Sequence, residues 1–204
     1  MKQVDERELL MKLQNRKGRI IGNYRTYGVM ILLYKEQEIL YIILEKRALT
    51  LRSQPGDICL PGGKIELNET PLEGAEREAV EELRVNKNHI NYLGEMDYLV
   101  TPYGAILYPY IGTIDVFPKE PNKEEVHEII KLPLEFLMKE EPKEYIMDIG
   151  PRNYDDFPFH LIQGGKNYKF SHGALSQYFY EFNGHIIWGF TARILYEFSK
   201  IIKE

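Results

Sequence analysis

Two runs rich in aliphatic and aromatic residues, Tyr-Gly-Val-Met-Ile-Leu-Leu-Tyr at 27–34 and Ile-Leu-Tyr-Ile-Ile-Leu at 39–44, flank the polar stretch 35–38. Two such runs around a short polar turn predict a β-hairpin. Further strands are expected at about 57–60, 90–100 and 106–114. Amphipathic spacing predicts a helix at 5–15, another after Pro133, and a closing helix over 186–202 with Trp188, Ala192, Leu195, Tyr196 and Ser199 in register. The sharpest helix start lies at Thr70-Pro71-Leu72-Glu73, where a threonine cap, a proline at the first helical position and a glutamate able to bond back to the cap coincide. Turning by about 100° per residue, that helix sets Leu72, Ala75, Ala79 and Leu83 on one side and Glu78, Glu81 and Glu82 with Gly74 on the other. It is expected to pack by the first face and offer carboxylates from the second.

Composition narrows the setting. A length of 204 residues suits one well-buried domain spanning 1–204, with residues 1–20 as a helical extension. A hydrophobic content of 44 %, with 15 Tyr and 9 Phe, argues for a packed protein and against disorder. No apolar run reaches membrane-spanning length, and the N-terminus has no signal-peptide core. The lone Cys59 excludes an internal disulfide framework and fits a cytoplasmic location. Beside a predicted strand, it reads as an apolar neighbour rather than a nucleophile. A net charge of −5 leaves no global basic face for nucleic acid. An anionic ligand therefore needs local basic residues or a metal.

The stretch GKIELNETPLEGAEREAVEELRV, 63–85, carries that chemistry. Glu78, Glu81 and Glu82 within two turns repel one another, and such a helix face has two readings: a solvated charged surface, or oxygen ligands for a hard cation such as Mg²⁺ or Mn²⁺. Pro61-Gly62-Gly63, immediately before it, supplies backbone that an ion or phosphate can approach closely. The ordered set Gly63, Glu69, Arg77, Glu78, Ala79, Glu81, Glu82 and Val85 resembles the signature of the Nudix hydrolases, G-x5-E-x7-R-E-U-x-E-E-x-G-U, where U is a bulky aliphatic residue. Ala79 is small for its position. Arg84 stands where the pattern has glycine, so the helix either runs on toward Asn86 or Asn88 or ends with Arg84 in a strained left-handed conformation.

The preceding segment, ILEKRALTLRSQPGDICLPGG at 43–63, resembles the second signature of the coenzyme A pyrophosphatase branch, L-L-T-x-R-(S/A)-x3-R-x3-G-x3-F-P-G-G. Ile43, Leu44, Arg47, Ala48, Arg52, Gly56 and Pro61-Gly62-Gly63 match it, while Leu60 replaces phenylalanine and Glu45 puts an acid where the pattern has a hydroxyl. Arginines suit phosphate oxygens through planar, bidentate bonding, so Arg47 and Arg52 are candidate substrate-binding residues, with pairing to Glu45 or Asp57 as the structural alternative. Residues 188–193, Trp-Gly-Phe-Thr-Ala-Arg, also look like the closing helix of that branch.

The resemblance implies an α+β fold, an α/β/α sandwich with a mixed central sheet and a loop-helix-loop at 63–85. It also implies hydrolysis of the pyrophosphate of coenzyme A or its thioesters, with Mg²⁺ or Mn²⁺ as cofactor and a small-molecule partner; a homodimer is compatible with it. Glu78, Glu82 and the Gly62 carbonyl would be metal ligands, Glu81 a ligand of a further ion or a base, and Arg77 a holder of Glu78 and Glu69. Family members often bring another glutamate from a later loop, and Glu125 is the first candidate, with a solvated acidic loop as its alternative. His127 lacks a sequence partner that would make it a base, and His160, His172 and His185 show no ligand spacing. Competing functions are a pyrophosphatase of another nucleoside diphosphate, such as ADP-ribose or NADH, and a catalytically silent nucleotide-binding domain.

Overall fold

The computed structural model describes residues 5–150 and 156–203. Helix α1 (Glu6–Leu13), capped by the Asp5 side chain, buries none of its residues. Strands β1 (Arg25–Glu36) and β2 (Ile39–Arg47) form the expected hairpin, joined through Gln37 and Glu38, both at positive φ. The short strands β3 (Ile58–Cys59) and β4 (Gly62–Lys64) follow, then helix α2 (Pro71–Leu83). Next come β5 (Ile90–Glu95), β6 (Leu99–Val100), β7 (Ala105–Ile114) and β8 (Val126–Pro133). Helix α3 (Leu134–Lys139), β9 (Lys143–Ile149), β10 (Gly173–Phe182), β11 (His185–Trp188) and α4 (Gly189–Lys203) complete the order.

Eight strands make one mixed sheet in which β1 lies parallel to β7 and antiparallel to β2 and β4. Alternation along β1 and β2 divides the core. Met30, Leu32 and Ile43 meet Ala75, Ala79 and Leu83 of α2, whereas Ile31, Ile42 and Leu44 join a cluster with Leu195 and Phe198 of α4. This is the anticipated α+β arrangement, with helices on both faces of a mixed sheet. Strand β1 brings α2 close: a Cβ added at Gly28 would lie 2.5 Å from the Pro71 carbonyl and 2.8 Å from Ala75. Any side chain there would push α2 off the sheet.

Several sequence expectations need correction. The strand expected over 90–100 is broken into β5 and β6. The closing helix does not start at 186: residues 185–188 form β11, hairpinned to β10, and the helix begins at Gly189. Together β9, β10 and β11 make a second, antiparallel sheet. Helix α2 stops at Leu83, with Arg84 in the left-handed conformation at φ 50° and ψ 48°. Among the described residues no helix is long and apolar enough to cross a membrane.

Candidate active site

Helix α2 starts where its local chemistry directs. The Thr70 hydroxyl accepts from the Glu73 amide at 3.3 Å, Glu73 Oε2 accepts from the Thr70 amide at 2.8 Å, and Pro71 opens the first turn. Eight residues on from Glu69, Arg77 reaches both flanks of the helix. Its Nε donates to Glu69 Oε1 at 2.6 Å, Nη2 to Glu69 Oε2 at 3.2 Å and to the Lys64 carbonyl at 3.0 Å, and Nη1 to Glu78 Oε1 at 2.9 Å. Glu81 lies farther out, with Oε2 3.4 Å from Nη1 and its side chain mostly exposed. Bidentate bonding to Arg77 keeps the Glu69 carboxyl below its ordinary range, and the same bonds raise the guanidinium.

The glycine loop and the helix fit against each other through their backbones. A Cβ on Gly63 would sit 2.4 Å from the carboxyl carbon of Glu78, so the absence of a side chain is what lets that carboxylate rest on the loop. Glu82 Oε2 accepts from the Gly62 amide at 2.8 Å. Contrary to the expectation of an open carboxylate face, Glu82 is 5 % exposed, with the Gly62 amide of the glycine loop and the Glu45 side chain of β2 against it. Burial pushes its carboxyl up to about 7, with the charges of Glu78 and Glu125 adding to the effect, and burial likewise raises Glu78.

The remaining sequence candidates fall unevenly around this centre. Glu125 is exposed, in the turn before β8, where its carbonyl accepts from the Ala48 amide at 2.7 Å; its charge is felt by Glu78 and Glu82. Asn122, at the start of that turn, donates from its amide to the Glu82 carbonyl at 2.8 Å and ties the turn to α2. Arg47, at the end of β2, lines a cleft of about 480 Å³ with Asp57, Gly62, Tyr103, Trp188 and Phe190. Its Nε is buried without a partner. Arg52 lies on the exposed loop after β2 and contributes no lining to that cleft. Cys59 lines the cleft too, but burial raises its thiol, which makes it a poor nucleophile. His127 is exposed.

Sequence reasoning left one site residue without a role. Glu45 on β2 is 1 % exposed and shares a hydrogen bond with Glu82; its Oε1 has no partner. Burial, and then the Glu82 charge, holds its carboxyl far above the ordinary range. The signal was the acid in place of a hydroxyl in the 43–63 segment.

Among the described residues, no three acidic side chains are gathered as a closed metal shell. Glu78 and Glu82 turn instead to Arg77 and the Gly62 amide. The donor set still fits a hard cation: the carboxylates are all oxygen donors, and the buried Glu45 Oε1 is unsatisfied. Glu78, Glu81, Glu82 and the Gly62 carbonyl could hold such an ion.

Comparison with known proteins decides the family: the family model for the NUDIX domain matches residues 24–148. The chain belongs to the Nudix family. Mouse peroxisomal coenzyme A diphosphatase NUDT7 is 27 % identical over 141 residues, covering 67 % of this chain and 58 % of that protein. A Nudix hydrolase NudL of Photorhabdus laumondii is 26 % identical over 164 residues, 79 % of this chain and 77 % of its own length. Arabidopsis thaliana Nudix hydrolase 22, chloroplastic, is 26 % identical over 185 residues, 87 % of this chain and 55 % of that one. The Nudix chain thus spans somewhat more than half of the mouse and plant relatives. A solved Nudix hydrolase from M. smegmatis, RenU, has 18 % identity and a TM-score of 0.48, covering 57 % of this chain and 74 % of that one. Nudix hydrolases generally use divalent metals.

Proposed function

We propose that this Nudix chain hydrolyses the pyrophosphate bond of coenzyme A or its thioesters, adding one water to give 3′,5′-ADP and 4′-phosphopantetheine or its acyl derivative. The observation that carries the substrate reading is Arg47. A guanidinium at the end of β2 lines the cleft that reaches Gly62 of the glycine loop, and its Nη2 donates to the Ser53 carbonyl at a long 3.5 Å. A phosphate-bearing ligand in the cleft offers closer, charged oxygens to such a donor. The register of Arg47 with the coenzyme A signature, and the mouse coenzyme A diphosphatase among the relatives, support the same reading.

Glu78 and Glu82, with the Gly62 carbonyl, would hold Mg²⁺ or Mn²⁺, and Glu81 a further ion or the proton of the attacking water. When bound, the ion lowers the pKa of water, clamps phosphate oxygens and stabilises the leaving oxygen. Arg77 acts on Glu69 and Glu78 and fixes their geometry, a positioning role. Glu125 would reach the site from the turn that Asn122 anchors. The aromatic rings of Tyr103, Trp188 and Phe190 give the cleft surfaces on which a base or an apolar arm can lie.

One observation favours a second reading, a pyrophosphatase of another nucleoside diphosphate such as ADP-ribose or NADH. Arg52 stands outside the cleft, so Arg47 is the one of the two arginines that lines it. Mass-spectrometric product identification from a panel of coenzyme A, ADP-ribose and NADH, each with Mg²⁺ and with Mn²⁺, separates the two. Release of 3′,5′-ADP and 4′-phosphopantetheine in equal amounts, lost by at least a hundredfold in Glu82→Gln at unchanged circular dichroism, is expected. Faster turnover of ADP-ribose or NADH would transfer the assignment to the second reading.

A further inference from the structure

Glu45 is a carboxylate in a place where the sheet calls for an aliphatic residue. Alternation along β2 sends Ile43 toward α2 and Ile42 and Leu44 toward α4, so Glu45 continues the α2-facing row. Ile43, two residues earlier on that row, is fully buried. Glu45 is held from both sides in the sheet, paired with Cys59 of β3 and Ile129 of β8, so its backbone has little freedom to carry the side chain elsewhere. The result is a side chain 1 % exposed whose one oxygen meets Glu82 and whose other oxygen, Oε1, is buried with no partner.

Nearby cationic groups do not resolve this burial. Arg77 is committed to Glu69, Glu78 and the Lys64 carbonyl. Arg47 attracts Glu45 electrostatically, yet its Nε makes no hydrogen bond. Without a cation, a buried carboxyl beside a second one stays neutral by keeping a proton; with one, both can bind it as carboxylates. Hard divalent cations are bound by such pairs of oxygens.

We infer that Glu45 is a further ligand of the divalent cation that Glu82 would hold, an oxygen donor supplied by strand β2 rather than by the helix or the glycine loop. The cation then has donors from α2, from the glycine loop and from the sheet, which fixes it more tightly than a helix face and a loop alone. The inference rests on the metal reading of Glu78 and Glu82 and adds to it a residue outside the 63–85 segment. It also accounts for an acid where the coenzyme A signature has a hydroxyl, since a hydroxyl at that point could not bring charge to the ion.

The test is Mn²⁺ binding to the full chain, followed by electron paramagnetic resonance without substrate, for wild type, Glu45→Gln, Glu45→Asp and Glu82→Gln. Glu45→Gln is isosteric and should weaken Mn²⁺ binding at least tenfold, while Glu45→Asp, charged but one methylene shorter, should keep part of the affinity. In EDTA, Glu45→Gln should melt close to or above wild type, because a neutral amide of the same shape replaces a buried carboxyl that stays neutral without metal, and Mn²⁺ should raise its melting temperature less. Mn²⁺ affinity of Glu45→Gln within twofold of wild type, with Glu82→Gln impaired, would overturn the role of Glu45 and leave the metal site standing. Unimpaired Mn²⁺ binding by Glu82→Gln would overturn the metal reading and this inference with it. A Glu45→Gln chain that melts well below wild type in EDTA would mark Glu45 as a structural acid and likewise overturn the inference.

Discussion

Arg77 and Glu82 show how this site orders its charges residue by residue. Arg77 gathers the half-buried Glu69 and Glu78, so those carboxylates have a cation at hand. Glu82 has a backbone amide and a second acid instead. Its raised titration has a consequence for the metal-free protein. The folded value, about 7, lies above the 4.5 of an unperturbed glutamate, so the unfolded chain releases this proton at lower pH than the folded one. The contribution of this group to stability is then full below pH 4.5 and is lost, on the order of a few kcal/mol, as pH rises through about 7. Urea unfolding in EDTA across that window should show the decline. Glu82→Gln should make it shallower, with Glu45 and Glu78, also raised by burial, accounting for what remains; an equally steep decline in that variant would assign the effect to those groups alone.

The end of α2 presents a contest between backbone strain and side-chain bonding. Arg84 takes the left-handed conformation that glycine adopts freely, at a cost of about 1 kcal/mol, and spends its guanidinium on Asn122 Oδ1 at 3.3 Å. That bond is exposed and contributes little. Arg84→Gly is therefore expected to raise the unfolding free energy by about 0.5–1 kcal/mol with turnover unchanged, measured by chemical denaturation. A loss of stability would show that the link to Asn122 outweighs the strain. The start of α2 was legible because Thr70, Pro71 and Glu73 decide it among themselves, and the β1–β2 hairpin was legible because its apolar runs are long. The closing segment was not. Ile186, Trp188 and Ala192 fit a helical register, but Asn183 and Gly184, at φ 49° and 79°, form a two-residue hairpin turn that pairs 185–188 with β10. The Asn-Gly pair between apolar runs was the available signal. Strand β9 gave only a weak one: Tyr145, Met147 and Ile149 alternate with polar residues, but Ile146 breaks the pattern and six of the seven residues are exposed.

At the scale of the molecule, the mixed sheet separates two layers, and the site forms where β2, the glycine loop and α2 meet. The order of Gly63, Glu69, Arg77, Glu78, Glu81 and Glu82 could be read from sequence because one loop and one helix carry it. The burial of Glu82 and Glu45 could not, because it arises only when α2 is laid across a strand 30 to 40 residues earlier. The second sheet had the same effect on the cleft: Trp188, read as helical, closes it from the end of β11. Helix α1, with Leu9, Leu10, Met11 and Leu13 exposed, packs none of its residues away from solvent. The proposal that Arg47 adapts this Nudix site to coenzyme A is tested by kcat/KM for coenzyme A against its 3′-dephospho form, in wild type and Arg47→Ala, at saturating Mg²⁺ or Mn²⁺. Wild type is expected to prefer coenzyme A at least tenfold, about 1.4 kcal/mol, a preference that collapses toward unity in Arg47→Ala. Equal rates on the two substrates in wild type would contradict it.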